Sequence, residues 1–306
     1  MSYADRDGFI WMDGEFKPWR EATVHVLTHT LHYGVGAFEG IRAYATSKGP
    51  AIFRLDEHVT RFLNSAKLLQ MQHDFKHETL ANAMIECVRK NELKSAYIRP
   101  IFFYGSEAMG LHAEKLQTHA MVAAWEWGAY LGADSLEKGI RVKTASIARN
   151  SLRSTLQHAK ANGGYINSMM ATQEAKLAGY QEAILLDHQG FVAEGSGENI
   201  FIVQDGALHT PTTVAILPGI TRASIIEVAR NMGLEVIERN ITRDDVYLAD
   251  EAFFTGTAAE ITPIAEYDDR VIGKGNRGPI TKQIQDAYFS IVQGEDANYE
   301  RWLTIV

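Results

Sequence analysis

The chain has 306 residues, 46% of them hydrophobic and 22% charged, the balance of an ordinary globular protein of one or two domains that can bury about 75% of the surface its unfolded form exposes. Its net charge of −8 argues against a nucleic-acid partner, which draws basic faces, but leaves room for a local cationic pocket. Cys87 is the only cysteine, so no disulfide forms within the chain, and inside "NAMIECVRK" it reads as a small buried hydrophobe.

The opening "MSYADRDGFIWMDG" lacks the basic, apolar pattern of a secretion signal, and no apolar run reaches membrane-spanning length. The expectation is a cytoplasmic protein without membrane contact. Next, "HVLTHTLH" spaces His25, His29 and His32 at i, i+4 and i+7. On a helix they would share a face and could hold a metal. The Val, Thr and Leu of the segment favour a strand instead, which points the imidazoles apart, and neither H-E-x-x-H nor a neighbouring carboxylate is present. The reading is structural hydrogen bonding and no metal. "LDEHVTRFLNSAKLLQ" places Val59, Phe62, Leu63, Ala66 and Leu69 on one helical stripe with Asp56 as N-cap, and "ETLANAMIECVRKNEL" repeats the pattern with Leu80, Met84, Ile85 and Val88. "AYIRPIFFYG" and "HAMVAAWEW" read as strands. "GAYLGADSLEKG" (128–139) holds three glycines and breaks periodicity, so it marks a linker between a small N-terminal α/β domain (1–127) and a large C-terminal domain (140–306). In the latter, strand signals at 182–187, 190–194, 198–203 and 207–210 come at hairpin spacing, with Asp205-Gly206 the strongest turn signal. Helices follow in "ITRASIIEVARNMG" and "PITKQIQDAYFSIVQG", stopped by Gly233 and Gly294.

The glycine-rich stretches "YGVGAFEG" and "EGSGENI" do not make G-x-G-x-x-G, because the sixth positions are Glu39 and Ile200, and no P-loop occurs. Other segments carry chemistry only in combination. Lys160 stands before two glycines and a tyrosine in "QHAKANGGYI"; taken alone it is an ordinary solvated lysine. "AILPGITRASII" has a proline-glycine turn and a threonine that can cap a helix. It leaves the amides of Gly219, Ile220 and Thr221 at the positive end of a helix dipole, a seat for phosphate or for water. "FVAEGSGEN" puts Glu194 at a strand end, where a carboxylate is solvated or, if buried, paired. In "FFTGTAAEITP" the amides of Gly256, Thr257 and Ala258 either converge on an anion or make a plain turn. Together these are the parts that hold pyridoxal 5'-phosphate: an amine for the aldehyde, a helix start and cation for the phosphate, a carboxylate for the ring nitrogen, and a nest for a substrate carboxylate.

The ordered blocks "HYGVGAFEGIRAY", "AYIRP", "AKANGGY", "EGSGEN", "LPGITR" and "TGTAAEITP" resemble those of branched-chain amino acid aminotransferases, which are fold-type IV pyridoxal-phosphate enzymes. The similarity runs from "WMDGEF" to the final helix. It implies an α/β (α+β) fold of two mixed domains, the larger with a barrel-like, antiparallel-rich sheet. By the resemblance, Lys160 carries the Schiff base and moves the Cα proton, and Tyr165 contacts the phenolic oxygen of the ring. Glu194 pairs with the pyridinium nitrogen. Arg61 binds phosphate with Gly219, Ile220 and Thr221. Thr257 serves the cofactor and, with Ala258, the substrate α-carboxylate. Phe38, Trp127 and Tyr165 form an apolar wall, and Arg99, Tyr33 and Tyr130 receive the distal carboxylate of glutamate. Arg99 supports this independently, since a charge inside an apolar strand is either a buried ligand-binder or an edge cation. Tyr33 and Leu111 would reach the neighbouring subunit's site, which implies a homodimer at least and extends to a trimer of dimers. A free lysine, pKa about 10.4, is protonated and a poor nucleophile at neutral pH; burial beside a cofactor lowers that value and activates it.

The chain departs from the commonest family pattern at Asn162 and Gly164, where many relatives read Gly and Asn; the Lys160–Tyr165 spacing is kept. The implied reaction is ping-pong transfer of the amino group of L-leucine, L-isoleucine or L-valine to 2-oxoglutarate. The alternatives are another enzyme of the same fold, acting on D-amino acids or (R)-amines or as an aminodeoxychorismate lyase, and, more remotely, a non-catalytic binding protein.

Overall fold

The computed structural model describes residues 2–112, 114–128 and 134–306. Two compact units emerge, one of Met1–Trp127, Ala159–Gly163 and Ile291–Val306, the other of Gly128–His158 and Gly164–Ser290. Residues 159–163 group with the first unit because their backbone is bonded into it. Phe38 N–H donates to Lys160 O at 3.0 Å, Gly163 N–H donates to Gly34 O at 3.0 Å, and Ala161 bridges Ala37.

The first unit is built on a wholly antiparallel eight-stranded sheet. Its order is Leu303–Ile305, Gly49–Phe53, Ile41–Thr46, Ala96–Tyr104, Thr118–Trp125, Phe9–Met12 and Glu15–Pro18, with Gly36–Phe38 also paired to Ala96–Tyr104. Helices Leu55–Leu68 and His77–Lys90 lay the apolar stripes legible in the sequence against it. Val59, Phe62, Ala66, Leu80, Met84 and Val88 are fully buried, and Leu63, Leu69 and Ile85 pack around them. Phe62 stacks on Phe102 with ring centroids 3.9 Å apart; each such fully buried side chain is worth about 1.5–3 kcal/mol. Cys87 lies in this core, its Sγ 3.4 Å from Val122 O, and burial pushes its thiol pKa up to about 12.

Two local expectations are corrected here. The cap of helix Leu55–Leu68 is Arg54, in the left-handed conformation (φ 53), and not Asp56. The strand Gly49–Phe53 ends one residue earlier, so the chain must reverse at Arg54, and Asp56 falls in the first turn, where its charge suits the helix dipole. "HVLTHTLH" is a turn followed by the short helix His29–Tyr33, not a strand. Tertiary bonds override β-propensity: His29 N–H donates to Gly105 O at 2.7 Å, and left-handed Gly34 closes the helix through its N–H to Thr30 O. Each imidazole bonds backbone, as the sequence reading held. His29 Nε2 lies 2.9 Å from Gly110 O, His32 Nε2 lies 2.9 Å from Val26 O, and His25 Nδ1 accepts from Leu27 N–H at 3.1 Å.

The second unit carries a mixed nine-stranded sheet, ordered Val192–Gly195, Glu182–Leu186, Ile140–Thr144, Glu260–Tyr267, Glu251–Gly256, Asn199–Gln204, Ala207–Thr210 and Val236–Glu238, with Arg270–Val271 beside Glu260–Tyr267. Most neighbours are antiparallel; Ile140–Thr144 runs parallel to both its partners, and Val236–Glu238 runs parallel to Ala207–Thr210. The sheet curls into a half-barrel. Val192 N–H, on one edge, reaches Ile241 O at 2.8 Å, just beyond the strand of the other edge. The expected hairpin turn falls at Asp205 (φ 51) and Gly206 (φ 79), two successive left-handed residues that match the strand twist. Helices Ile220–Asn231 and Pro279–Val292 form as expected, and Gly233 and Gly294 terminate them in left-handed conformations. The cap of the former is extended Gly219, whereas Thr221 is its second residue and is buried. Within 128–139 Ser135–Lys138 is a short helix. Among the described residues no helix is long and apolar enough to cross a membrane.

His119 ties the first sheet to its neighbouring loops. Its ring stacks on Phe103, Nδ1 lies 2.7 Å from Asp13 Oδ2, and Nε2 lies 3.4 Å from Glu107 Oε1. Partial burial opposes its charge, but the bonds and fields of Asp13 and then Glu107 prevail and raise its pKa. A folded-state pKa above the unfolded value stabilises fully below about pH 6.5 and is lost as pH rises through the folded value. The melting-temperature advantage of the protein over His119→Gln should therefore be largest below about pH 6.5 and shrink as pH rises above it in thermal scans. A gap that does not change with pH would mean that His119 contributes packing alone.

Candidate active site

In the first unit the site is organised around Lys160. Its N–H donates to Ser65 Oγ at 3.0 Å, Ser65 Oγ donates to Arg61 O at 2.9 Å, and Lys160 Nζ sits 5.0 Å from the centroid of the Phe38 ring. The residue after Phe38, Glu39, has no exposed surface. Arg61 grips its carboxylate with two donors, Nε to Oε1 at 2.6 Å and Nη2 to Oε2 at 2.8 Å, and His58 Nδ1 lies 2.8 Å from Oε2. Burial pushes the Glu39 carboxyl up, but the charge and bonds of Arg61, with His58, overcome this and hold it well below the usual carboxylate range. His58 is shifted downward: burial outweighs its bond to Glu39 and lowers its pKa. An ionised carboxylate only accepts, so the neutral imidazole carries its proton on Nδ1. Arg61, assigned to phosphate by resemblance, is thus oriented by a buried anion.

Arg99 is not an edge cation. Its strand, Ala96–Tyr104, is paired on both sides, by Ile41–Thr46 and by Thr118–Trp125. Its guanidinium lies 4.8 Å from the Phe38 centroid, Nη2 donates to Tyr97 Oη at 3.0 Å, and its buried Nε has no hydrogen-bond partner among the described residues. One aromatic ring, Phe38, therefore has the Lys160 amine and the Arg99 cation against it. Trp127 packs edge-on to Tyr97 at 4.3 Å, and its carbonyl accepts from Arg42 Nη2 at 3.2 Å. Tyr33 rests on the His29 ring at 4.4 Å, and Leu111 is 92% exposed. Tyr130 lies outside the described residues.

In the second unit Glu194 lies near the end of the strand Val192–Gly195 and is buried. Of the two readings the sequence left open, the paired one holds. Oε1 meets Arg149 Nε at 2.7 Å, and Oε2 accepts from Asn199 Nδ2 at 3.3 Å. Asn199 Nδ2 also lies 3.1 Å from Leu217 O, and a Cβ at Gly219 would come within 1.9 Å of Asn199 Oδ1. Only glycine fits there, and Asn199 couples the Glu194 carboxylate to the start of helix Ile220–Asn231. Among the described residues no side chain caps that helix, so its first amides are donors in need of an acceptor, the arrangement that takes an anion. Thr257 and Ala258 occupy the turn between the strands Glu251–Gly256 and Glu260–Tyr267, half-buried. Beside them the buried Thr255 Oγ1 lacks a hydrogen-bond partner among the described residues. Tyr165 opens the helix Tyr165–Leu177 and is half-buried; Asn162–Gly164, where the chain departs from the family pattern, form a single 3-10 turn before it.

A half-buried lysine, a guanidinium held in place, a glycine-lined helix start with uncapped amides and a buried paired carboxylate fit the aldehyde, phosphate and ring nitrogen of pyridoxal phosphate. Glu39, His58, Ser65, Arg149 and Asn199 escaped the sequence reading. Glu39 was open to the argument used for Arg99, a charge set in an apolar stretch ("GAFEGI"), and His58, Arg61 and Ser65 share one helix face at i, i+3 and i+7. Arg149 and Asn199 carry no such signal.

Residues 36–267 match the family model described as amino-transferase class IV. The chain is 55% identical over 306 residues to the branched-chain-amino-acid aminotransferase of Pseudomonas aeruginosa, covering all of both chains. It is 46% identical over 297 residues to that of Escherichia coli K12, covering 96% of each. Among solved structures, a T.th. branched-chain amino acid aminotransferase complexed with N-(5'-phosphopyridoxyl)-L-glutamate is similar with a TM-score of 0.94 at 50% identity, over 98% of this chain and 99% of that one. The E. coli branched-chain amino acid aminotransferase structure gives 0.95 at 45% identity, over 97% and 99%. The chain belongs to the class IV aminotransferase family, and its two mixed α/β units with one half-barrel are the fold expected of it.

Glu194 is buried and the Arg149 side chain is only 11% exposed, so removing one leaves the other without its ion-pair partner. Arg149→Met should cost about 3–5 kcal/mol in denaturant unfolding, and adding Glu194→Gln should recover a good part of that loss. Equal or additive losses in the double variant would contradict a coupled pair.

Proposed function

We propose that this enzyme transfers the amino group of L-leucine, L-isoleucine or L-valine to 2-oxoglutarate, reversibly and in two half-reactions, with pyridoxal 5'-phosphate as cofactor. The observation that carries it is the Phe38 ring with Lys160 Nζ 5.0 Å and the Arg99 guanidinium 4.8 Å from its centroid: amine chemistry, an apolar wall and a carboxylate-binding cation at one residue. The full-length likeness to aminotransferases named for branched-chain amino acids and a relative complexed with phosphopyridoxyl-glutamate support the same reading.

When bound, the cofactor supplies an aldehyde that takes the amino group and a ring that accepts electrons released at Cα. The chain's own residues then have distinct tasks. Lys160 Nζ is the amine that anchors the aldehyde and the base that takes and returns the Cα proton. Glu194, paired with Arg149, accepts the ring N–H and holds the proton there. Arg61, the amides of Gly219, Ile220 and Thr221, and Thr257 hold the phosphate, and Tyr165 bonds the phenolic oxygen. The turn at Thr257 and Ala258 takes the α-carboxylate. Phe38, Trp127 and Tyr165 face the aliphatic side chain. Arg99, with Tyr33 and Tyr130, receives the distal carboxylate of the glutamate pair. An aliphatic substrate leaves Arg99 without a carboxylate; its seat on the Phe38 and Tyr97 rings offsets the charge by cation–π attraction, so one pocket serves both half-reactions.

Tyr33 and Leu111, both exposed, are assigned to a second subunit's site, which makes a homodimer the smallest active form and a trimer of dimers the larger assembly. The glycine-bearing stretch 128–139 is read as the linker between a smaller N-terminal and a larger C-terminal domain, and the cytoplasm as the compartment.

Borohydride treatment of pyridoxal-phosphate-saturated protein should fix the cofactor to the peptide containing Lys160 in mass spectrometry, and Lys160→Ala should lose both the adduct and the yellow colour. An unmodified Lys160 peptide would end the reading. In a panel with 2-oxoglutarate, L-leucine, L-isoleucine and L-valine should all react, with kcat/KM within about two orders of magnitude, since a methylene is worth only about 1–3 kcal/mol. D-Alanine and (R)-amines should lag well behind L-leucine; the reverse order would move the protein to another activity of the family.

A further inference from the structure

We propose that Glu39 and His58 are positioning residues for Arg61, fixing the plane in which its guanidinium meets the cofactor phosphate. The proposal rests on the assignment of Arg61 to the phosphate made above.

Glu39 has no exposed surface, yet its side chain is charged, a costly placement unless the charge is paired. It accepts both Arg61 donors in fork geometry, Nε at 2.6 Å and Nη2 at 2.8 Å, and His58 Nδ1 at 2.8 Å. A guanidinium has five N–H groups in one rigid plane. Once Nε–H and one Nη2–H are bound to a fixed carboxylate, the directions of the other three are set. The carboxylate is itself anchored through its backbone: Glu39 N–H donates to Pro100 O at 3.0 Å on the central strand. His58 closes the third side. His58, Arg61 and Ser65 all work from one face of the helix Leu55–Leu68, and Ser65 holds the Lys160 amide. One helix face therefore sets both the cation for the phosphate and the backbone that carries the reactive amine.

Two physical accounts of Glu39 predict opposite signs. If Arg61 attracted phosphate mainly through net charge, Glu39 would be an opponent, and neutralising it would tighten binding. If alignment dominates, neutralising it weakens binding. Gln at position 39 offers one acceptor and one donor where two acceptors stood; since Arg61 donates to both oxygens and His58 shares Oε2, an Arg61 donor faces another donor whichever way the amide sits, and the fork opens.

The test compares apoenzyme affinity for pyridoxal 5'-phosphate and for pyridoxal, by absorbance titration, with the thermal shift given by inorganic phosphate. Glu39→Gln should weaken pyridoxal phosphate at least about tenfold, leave pyridoxal within about twofold, and remove the phosphate shift. His58→Leu should behave like Glu39→Gln. His58→Asn, whose amide can place a donor near the position of Nδ1–H, should stay near the parent protein. Unchanged or tighter binding of pyridoxal phosphate in Glu39→Gln overturns the proposal. So does an equal loss for both ligands with a lowered melting temperature, which marks a scaffold role only. If Glu39→Gln fails to fold, the His58→Leu and His58→Asn pair decides, and equal behaviour of the two overturns the proposal. Arg61→Ala serves as the separate control: if it leaves the ratio of the two affinities unchanged, it is the phosphate assignment of Arg61 that fails.

Discussion

Both backbone polar groups of Lys160 are bonded within the first unit, the N–H to Ser65 Oγ and the carbonyl to Phe38 N–H. A lysine side chain is long and flexible, and it can act as a positioned amine only if its root is fixed. Here the root is pinned between a helix face and a short strand. The residue that bonds the carbonyl, Phe38, also offers its ring to Lys160 Nζ and to Arg99. The next residue along, Glu39, orients Arg61. Three side chains with separate chemical tasks, those of Lys160, Arg99 and Arg61, thus rest against one strand of three residues and the residue that follows it.

The protein is net negative by eight charges, but every function proposed for it concerns an anion. It resolves this by placing a few guanidiniums in prepared seats. Arg61 and Arg149 each face a buried carboxylate, and Arg99 lies on aromatic rings. In these settings direction matters more than total charge, because each cation is already balanced or screened before a ligand arrives. The helix start at Gly219 adds neutral donors, and Asn199 links that start to Glu194, so in the second unit the groups suited to ring nitrogen and phosphate share a hydrogen-bonded frame.

Much of the fold was legible because its signals are local. The stripes of Leu55–Leu68 and His77–Lys90 repeat at the helical period, and Asp205-Gly206 supplies the two left-handed residues a tight hairpin needs. What was illegible depended on distant partners. His29–Tyr33 is helical because Gly105 and Gly110, far along the chain, accept bonds from His29. Arg54 replaces Asp56 as cap because a strand ends just before it. The same division runs through the site. Lys160, Glu194 and the PGIT turn stood out as ordered blocks, whereas Arg149, 45 positions from Glu194 in sequence, has no local mark of its pairing. Glu39 stands out as an odd charge in an apolar run, but nothing local in the sequence marks Arg61 and His58 as its partners.

Cys87 has a practical consequence. It is the sole sulfhydryl of the chain, has no accessible surface, and keeps its proton far above neutral pH, and thiolate character is what alkylating agents require. The native polypeptide is therefore chemically silent toward maleimides without any sequence change. A pair of reporter cysteines placed on exposed loops would accept fluorophores or spin labels at those two positions alone, which allows distance measurements between them during turnover.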